Sequence, residues 1–242
     1  NNTVTGCTFS DLYKAAQAYC HDSQYSNNTI LRTQGTGLFV IGNNNLISNN
    51  TFQDIALIPG NGESTWGYIG LRANGSNSIV RNNRLTNIGY IGIAYEGQGL
   101  IEKNVIMGAM ASLNDGGGIA FDNCNGLIIQ DNIVDGMVGN IESSAPDFPA
   151  YKKICHGIYF GDSDIQNTTV QRNIVGNCAG SGIHVDHTML STGNQVKDNV
   201  LFNNEIQMSI GDASNYNGAG AVAPFHLSNF NDIYSGNTMY CL

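Results

Sequence analysis

The 242-residue sequence carries 10 Lys and Arg against 19 Asp and Glu, a formal charge of −9, with 41% hydrophobic and only 12% charged residues. An acidic chain without a basic run repels phosphate backbones, which argues against nucleic acid as a partner, and no apolar stretch reaches the roughly 18 residues that span a bilayer. Thirty glycines beside four prolines describe an ordered chain rich in tight turns, not a disordered linker.

From the N-terminus, Val4, Cys7 and Phe9 open a pattern of apolar, two residues, Cys or Asn, one residue, apolar. It returns as Ile47/Asn50/Phe52, Val80/Asn83/Leu85, Ile101/Asn104/Ile106, Ile129/Asn132/Val134, Val170/Asn173/Val175, Val196/Asn199/Leu201 and Tyr234/Asn237/Met239. Chance does not produce eight matches in one chain. Residues 10–20 depart from the pattern and read as a short helix capped by Ser10 or Asp11, a helical or loop excursion rather than a second domain.

A second pattern precedes the first in each unit: Gly37-Leu38, Gly70-Leu71, Gly92-Ile93, Gly118-Ile119, Gly157-Ile158 and Gly182-Ile183, each followed by the period-two alternation of a half-buried strand. From Gly to Asn the spacing is nearly constant, whereas from Asn to the next Gly it varies widely, so insertions emerge at one corner of a coil. A short unit that cannot bury its own apolar face is stabilised by stacking on its neighbours, each strand pairing in parallel with its equivalents above and below. The Asn column then reads as a ladder of side-chain amides at a turn. This predicts an all-β, single-stranded right-handed parallel β-helix solenoid of about eight rungs, one domain over residues 1–242.

On these two patterns the sequence resembles the right-handed parallel β-helix superfamily, which includes pectate and alginate lyases, polygalacturonases and other glycoside hydrolases, phage tailspikes and surface adhesins. The resemblance spans essentially the whole chain, but its motif is architectural and shared by unrelated activities.

Strand alternation puts the residues two and four after each repeat Gly on one outward face. The second position carries Arg72, Ala94, Ala120, Tyr159 and His184; the fourth carries Asn74, Glu96, Asp122, Gly161 and Asp186, with Asp162 and His187 just beyond. Rungs lie about 4.8 Å apart. Carboxylates stacked this closely keep a proton, hold a hard cation such as Ca²⁺, or splay apart. Adjacent and next-adjacent rungs straddle the carboxyl separations of retaining and inverting glycosidases, so spacing does not choose between them. Insertions at residues 53–69, 107–117 and 133–156 enter just before this stripe and could wall it, with Trp66, Phe148 and Tyr151 as sugar-stacking surfaces. Against this stands the plain alternative that a solenoid surface must carry polar residues somewhere.

His184 and Asp186 share a face as an orienting pair, part of a metal site or a solvated strand end. His156, beside Lys152 and Lys153, reads first as a turn histidine and second as a lyase base. The six cysteines have no zinc-type spacing, and Cys155 and Cys178 sit at the same corner of neighbouring rungs, where a disulfide could form. Sequons begin at Asn1, Asn27, Asn49, Asn74 and Asn167 and support secretion only weakly, because Asn-rich turns generate them by chance.

The resemblance and the acidic stripe together favour a secreted, extracellular carbohydrate-active protein acting on a polysaccharide or oligosaccharide. Glu96, Asp122, Asp162, Asp186 and His184 are the catalytic candidates, and Arg72, Tyr159, Trp66 and Tyr151 the substrate-binding ones; no cofactor is assigned, with Ca²⁺ as an option. Glycoside hydrolysis leads over a polysaccharide lyase, for which basic residues near the stripe are few. A non-catalytic subunit of a filament or surface layer is the alternative from another class, and a glycan-binding module a third. The structural reading rests on the ends: repeats begin at residue 1 and finish at Met239, so the exposed edges suggest head-to-tail self-association or a longer chain.

Overall fold

The computed structural model describes residues 1–62, 64–143, 153–186, 191–210, 229–230 and 233–240. The chain winds as a right-handed parallel β-helix. One turn runs through the strands Ser78–Arg81, Arg84–Ile88 and Ile93–Glu96, and the next through Gly99–Glu102, Val105–Met107 and Gly116–Asp122. Among the described residues, stacking turns builds three parallel sheets, here A, B and C, of nine, nine and eight strands; a four-stranded sheet D is added between C and A from Cys124–Asn125 onward.

Both apolar positions of the Asn pattern point inward, one on sheet A and one on sheet B. Val80, Leu85, Ile101, Ile106, Ile129, Val134, Val170 and Val175 are fully buried. The third wall comes from sheet C, where Leu71, Ile93, Ile119, Ile158 and Ile183 stack in register. Phe121 and Phe160 continue this wall with ring centroids 4.6 Å apart.

The bend from sheet A to sheet B explains the asparagines. Each ladder residue follows one in the left-handed region: Asn27, Asn49, Asn82, Lys103, Asp131, Arg172 and Asp198 have φ from 53 to 57°. The Asn after it turns inward. Asn83 Nδ2 donates to Asn104 Oδ1 (3.0 Å) and to the Ile47 carbonyl (3.0 Å), and its own Oδ1 accepts from both the backbone N–H (3.0 Å) and Nδ2 (2.9 Å) of Asn50. Every donor and both lone pairs of the amide are used, so a buried polar group carries no desolvation deficit. The pattern repeats through Asn104, Asn132, Asn173 and Asn199. It also explains the sequons at Asn27 and Asn49, where turn Asn, ladder Asn and strand Thr fall in succession.

The repeat glycines have a different cause. An added Cβ at Gly92 would lie 2.5 Å from the Gly118 carbonyl oxygen, and at Gly37 2.5 Å from that of Gly70. Successive backbones approach too closely at the entry to sheet C for any side chain.

Three expectations are corrected. Residues 10–20 form no helix: Ala16–Tyr19 is the first strand of sheet C, with Ala16 and Ala18 paired to Leu38 and Val40. Its in-out alternation was hidden because alanines stand where later rungs carry Leu, Val and Ile. The ladder also gains a position, Asn28, between Cys7 and Asn50; Tyr25, Asn28 and Ile30 fit the pattern as fully as Tyr234, Asn237 and Met239 do and make a ninth match. Finally, Cys155 and Cys178 are separate buried thiols, as are Cys20 and Cys124, while Cys7 is exposed. The Cys155 and Cys178 Sγ atoms face the Met137 and Gly176 carbonyls instead of each other.

Candidate functional site on sheet C

The connections from sheet B to sheet C that follow Ile55, Met107 and Asp135 all leave the coil at the corner beside sheet C. The outward residues of that sheet line up in register: Phe39, Arg72, Ala94, Ala120, Tyr159, His184 and Ser209 in one column, Ile41, Asn74, Glu96 and Asp122 in the other.

At the N-terminal end Arg72 lies between aromatic rings, its guanidinium carbon 4.7 Å from the Phe39 centroid and 5.0 Å from that of Trp66. Its Nη2 donates to Glu96 Oε1 at 3.1 Å, while its buried Nε has no hydrogen-bond partner. Phe39, Trp66, Arg72, Lys14, Gln17 and Thr36 line a pocket of about 130 Å³. Glu96 is thereby engaged as the counter-ion of Arg72.

In the middle of the stripe Gly161 leaves one rung without a side chain, and the Asp122 carboxyl folds into that space. A Cβ on Gly161 would meet Asp122 Oδ1 at 1.9 Å. The Ser163 N–H donates to the same oxygen at 3.4 Å. Burial raises the Asp122 pKa above its ordinary value, and the neighbouring Asp162 and Glu96 charges add to this. Asp162 itself is exposed at the rung end.

At the C-terminal end the side chains form a continuous network. The Tyr159 hydroxyl donates to Asp186 Oδ2. His184 Nε2 lies 3.7 Å from Asp186 Oδ1, and its Nδ1 is 2.6 Å from Ser209 Oγ, which is 2.6 Å from Ser181 Oγ. The His184 ring is parallel to that of Tyr159 (5.7 Å, 3°) and stacks on His156 (4.3 Å, 22°). His156 is not a turn residue but part of the strand Cys155–Phe160, and it is buried. Its Nδ1 accepts from the Ser181 N–H at 3.2 Å, which places its proton on Nε2, and that atom is buried without a partner. Burial holds its pKa well below the imidazole value, with His184 acting in the same direction. Burial and the charges of Asp186, Asp115 and Asp162 push the Tyr159 phenol well up.

Asp122 and Asp162 thus meet in the middle, Tyr159, His184 and Asp186 at one end, and Arg72, Trp66 and Glu96 at the other. Tyr151, together with Phe148, Lys152 and His187, lies outside the described residues. Among the described residues no three His, Cys, Asp or Glu side chains converge as a metal site. Sequence reasoning missed Ser181, Ser209 and Asp115. Ser209 was hidden because its rung has Gln207 where the others have glycine; carrying the alternation on from Gln207 would have placed it in the Tyr159–His184 column.

Stacked parallel sheets with an internal Asn ladder and one polar, loop-flanked face define a β-helix with a candidate site on sheet C. The chain belongs to the right handed beta helix region family, whose model matches residues 1–141 and 67–223. No curated protein matches. Among solved structures it is similar to the periplasmic alginate epimerase AlgG, with TM-score 0.64 and 12% identity over 98% of this chain and 50% of that one. It is also similar to the Dettilon tailspike protein gp208, with TM-score 0.52 and 13% identity over 100% of this chain and 55% of that one. At such identities the likeness is one of fold. The chain spans about half the length of either protein.

Proposed function

We propose that the protein is a secreted carbohydrate-active β-helix that binds a polysaccharide along sheet C and cleaves it by glycoside hydrolysis. The observation that carries this reading is the Asp122 carboxyl: half-buried, raised in pKa, folded over the side-chain-free rung at Gly161 and flanked by Asp162. A group that retains its proton above the ordinary carboxyl range suits a general acid toward the glycosidic oxygen. Asp162, exposed, or Asp186, held by the Tyr159 hydroxyl, is the partner carboxylate for a water or for the sugar carbon. Arg72, Trp66 and Tyr159 serve as binding groups flanking this centre. The similarity to an alginate epimerase and a tailspike is in keeping with a carbohydrate ligand. Pairing of Arg72 with Glu96 weighs against a lyase, because that cation is already compensated.

Reducing-end release from a panel of neutral and acidic polysaccharides tests the reading. Asp122→Asn is expected to lose activity by about 10³-fold or more with the thermal midpoint nearly unchanged, and so is one of Asp162→Asn and Asp186→Asn, whichever removes the partner carboxylate. Full activity in all three variants would remove sheet C as the cleavage site.

A further inference from the structure

Tyr159, His184 and Ser209 occupy one column on three consecutive rungs, with Asp186 beside them. The contacts fix the roles. The tautomer that suits the Asp186 carboxylate keeps the His184 proton on Nε2, which leaves Nδ1 as an acceptor. The Ser209 hydroxyl then donates to Nδ1 across 2.6 Å, and Ser181 donates to the Ser209 oxygen at 2.6 Å. Stacking on His156 and Tyr159 fixes the plane of the imidazole. A hydroxyl on a base, and the base oriented by a carboxylate, is the arrangement that activates a serine for attack on a carbonyl carbon, whatever the chain order. The 3.7 Å separation of His184 from Asp186 exceeds a hydrogen bond; such contacts tighten when substrate binds.

We propose that Ser209, His184 and Asp186 form a serine-hydrolase triad that removes ester-linked acyl groups, such as O-acetyl, from the hydroxyls of a saccharide lying along sheet C. Ser209 Oγ bonds to the acyl carbon as its proton passes to His184 Nδ1. The bond from that carbon to the sugar oxygen breaks, and the oxygen leaves with the proton from His184. Water then attacks the acyl-serine, giving a proton to Nδ1; the carbon–Oγ bond breaks, the carboxylic acid departs and Ser209 regains its hydrogen. No metal or redox partner enters. Asp186, placed above as one of two partner carboxylates for chain cleavage, here orients the base, which leaves Asp162 to serve with Asp122. That the alcohol portion is a sugar rests on the function proposed above; the triad itself does not.

The whole chain is treated with a fluorophosphonate probe, and the labelled residue is located by peptide mass mapping. Hydrolysis of p-nitrophenyl acetate and acetate release from an O-acetylated polysaccharide are followed in parallel. Label is expected on Ser209 in the wild type and in Asp122→Asn. Ser209→Ala and His184→Ala should lose both label and acetate release by at least about 10²-fold, with Ser181→Ala still labelled at Ser209. A wild-type protein unlabelled at saturating probe, or labelled at a residue other than Ser209, overturns the triad without recourse to any variant. Retained acetate release in a folded Ser209→Ala does the same. Loss of chain cleavage with intact labelling in Asp122→Asn would support both activities as separate, whereas a labelled wild type that cleaves no chain would refute glycoside hydrolysis and leave the triad standing.

Discussion

Asn132 accepts from the Asn104 backbone N–H and Nδ2 and donates to the Ile101 carbonyl and Asn173 Oδ1, all within 2.9–3.0 Å. Asn132→Ala removes these four bonds and strands buried donors and acceptors on the two flanking rungs. A loss of about 3 kcal/mol or more is expected in urea unfolding. Gly161 shows the opposite sensitivity. The atom that Gly161→Ala would strike is the end of the Asp122 side chain, which can rotate away, so stability should fall by about 1 kcal/mol or less. If Asp122 is the acid, chain cleavage should nevertheless drop by about 10²-fold, because the carboxyl leaves its place. Calorimetry and reducing-end assays on the same sample separate the two effects.

At the level of the strand, glycine and asparagine answer different geometric demands. The Asn ladder satisfies a turn; the glycine column permits contact between backbones. Gly92→Ala would press a methyl group against the Gly118 carbonyl oxygen at 2.5 Å and against Ile106 Cγ2 at 2.8 Å, both held by neighbouring rungs. About 2 kcal/mol of destabilisation is expected. In a solenoid each rung contacts chiefly its neighbours, so the damage should be local. Hydrogen exchange should accelerate in Leu71–Asn74, Ile93–Glu96 and Gly116–Asp122 while Ile174–Gly176 stays protected; uniform acceleration over the chain would contradict this picture.

For the whole molecule, acid stability follows from a group held away from water. His156 stays neutral in the folded chain because burial holds its pKa well below 6.5, whereas unfolded His156 titrates near that value. Below pH 6.5 the unfolded state therefore binds a proton that the folded state refuses, and stability falls as pH drops toward the folded pKa. Asp122 acts in the other direction: its raised pKa means that burial favours the protonated form, and this contribution is lost as pH rises through that pKa. His156→Gln should flatten the loss of thermal midpoint between neutral pH and about pH 5. An unchanged slope would assign the acid transition to other groups.

The two patterns in the sequence determined the coil and the ladder at one bend, because each rung repeats the same local demand on residue type. They also placed Arg72, Glu96, Asp122, Tyr159, His184 and Asp186 on one face, since alternation along a strand is a local property. Where the local signal weakened, the reading failed: Ala16 and Ala18 bury little side chain, and Gln207 replaces a glycine. Only the tertiary structure decided which neighbours on that face meet. Arg72 chooses Glu96, Asp122 leans over Gly161, and His184 reaches Ser209 and stacks on His156. Those choices depend on side-chain rotamers and on burial between rungs 20 or more residues apart in sequence, which no period along the chain encodes.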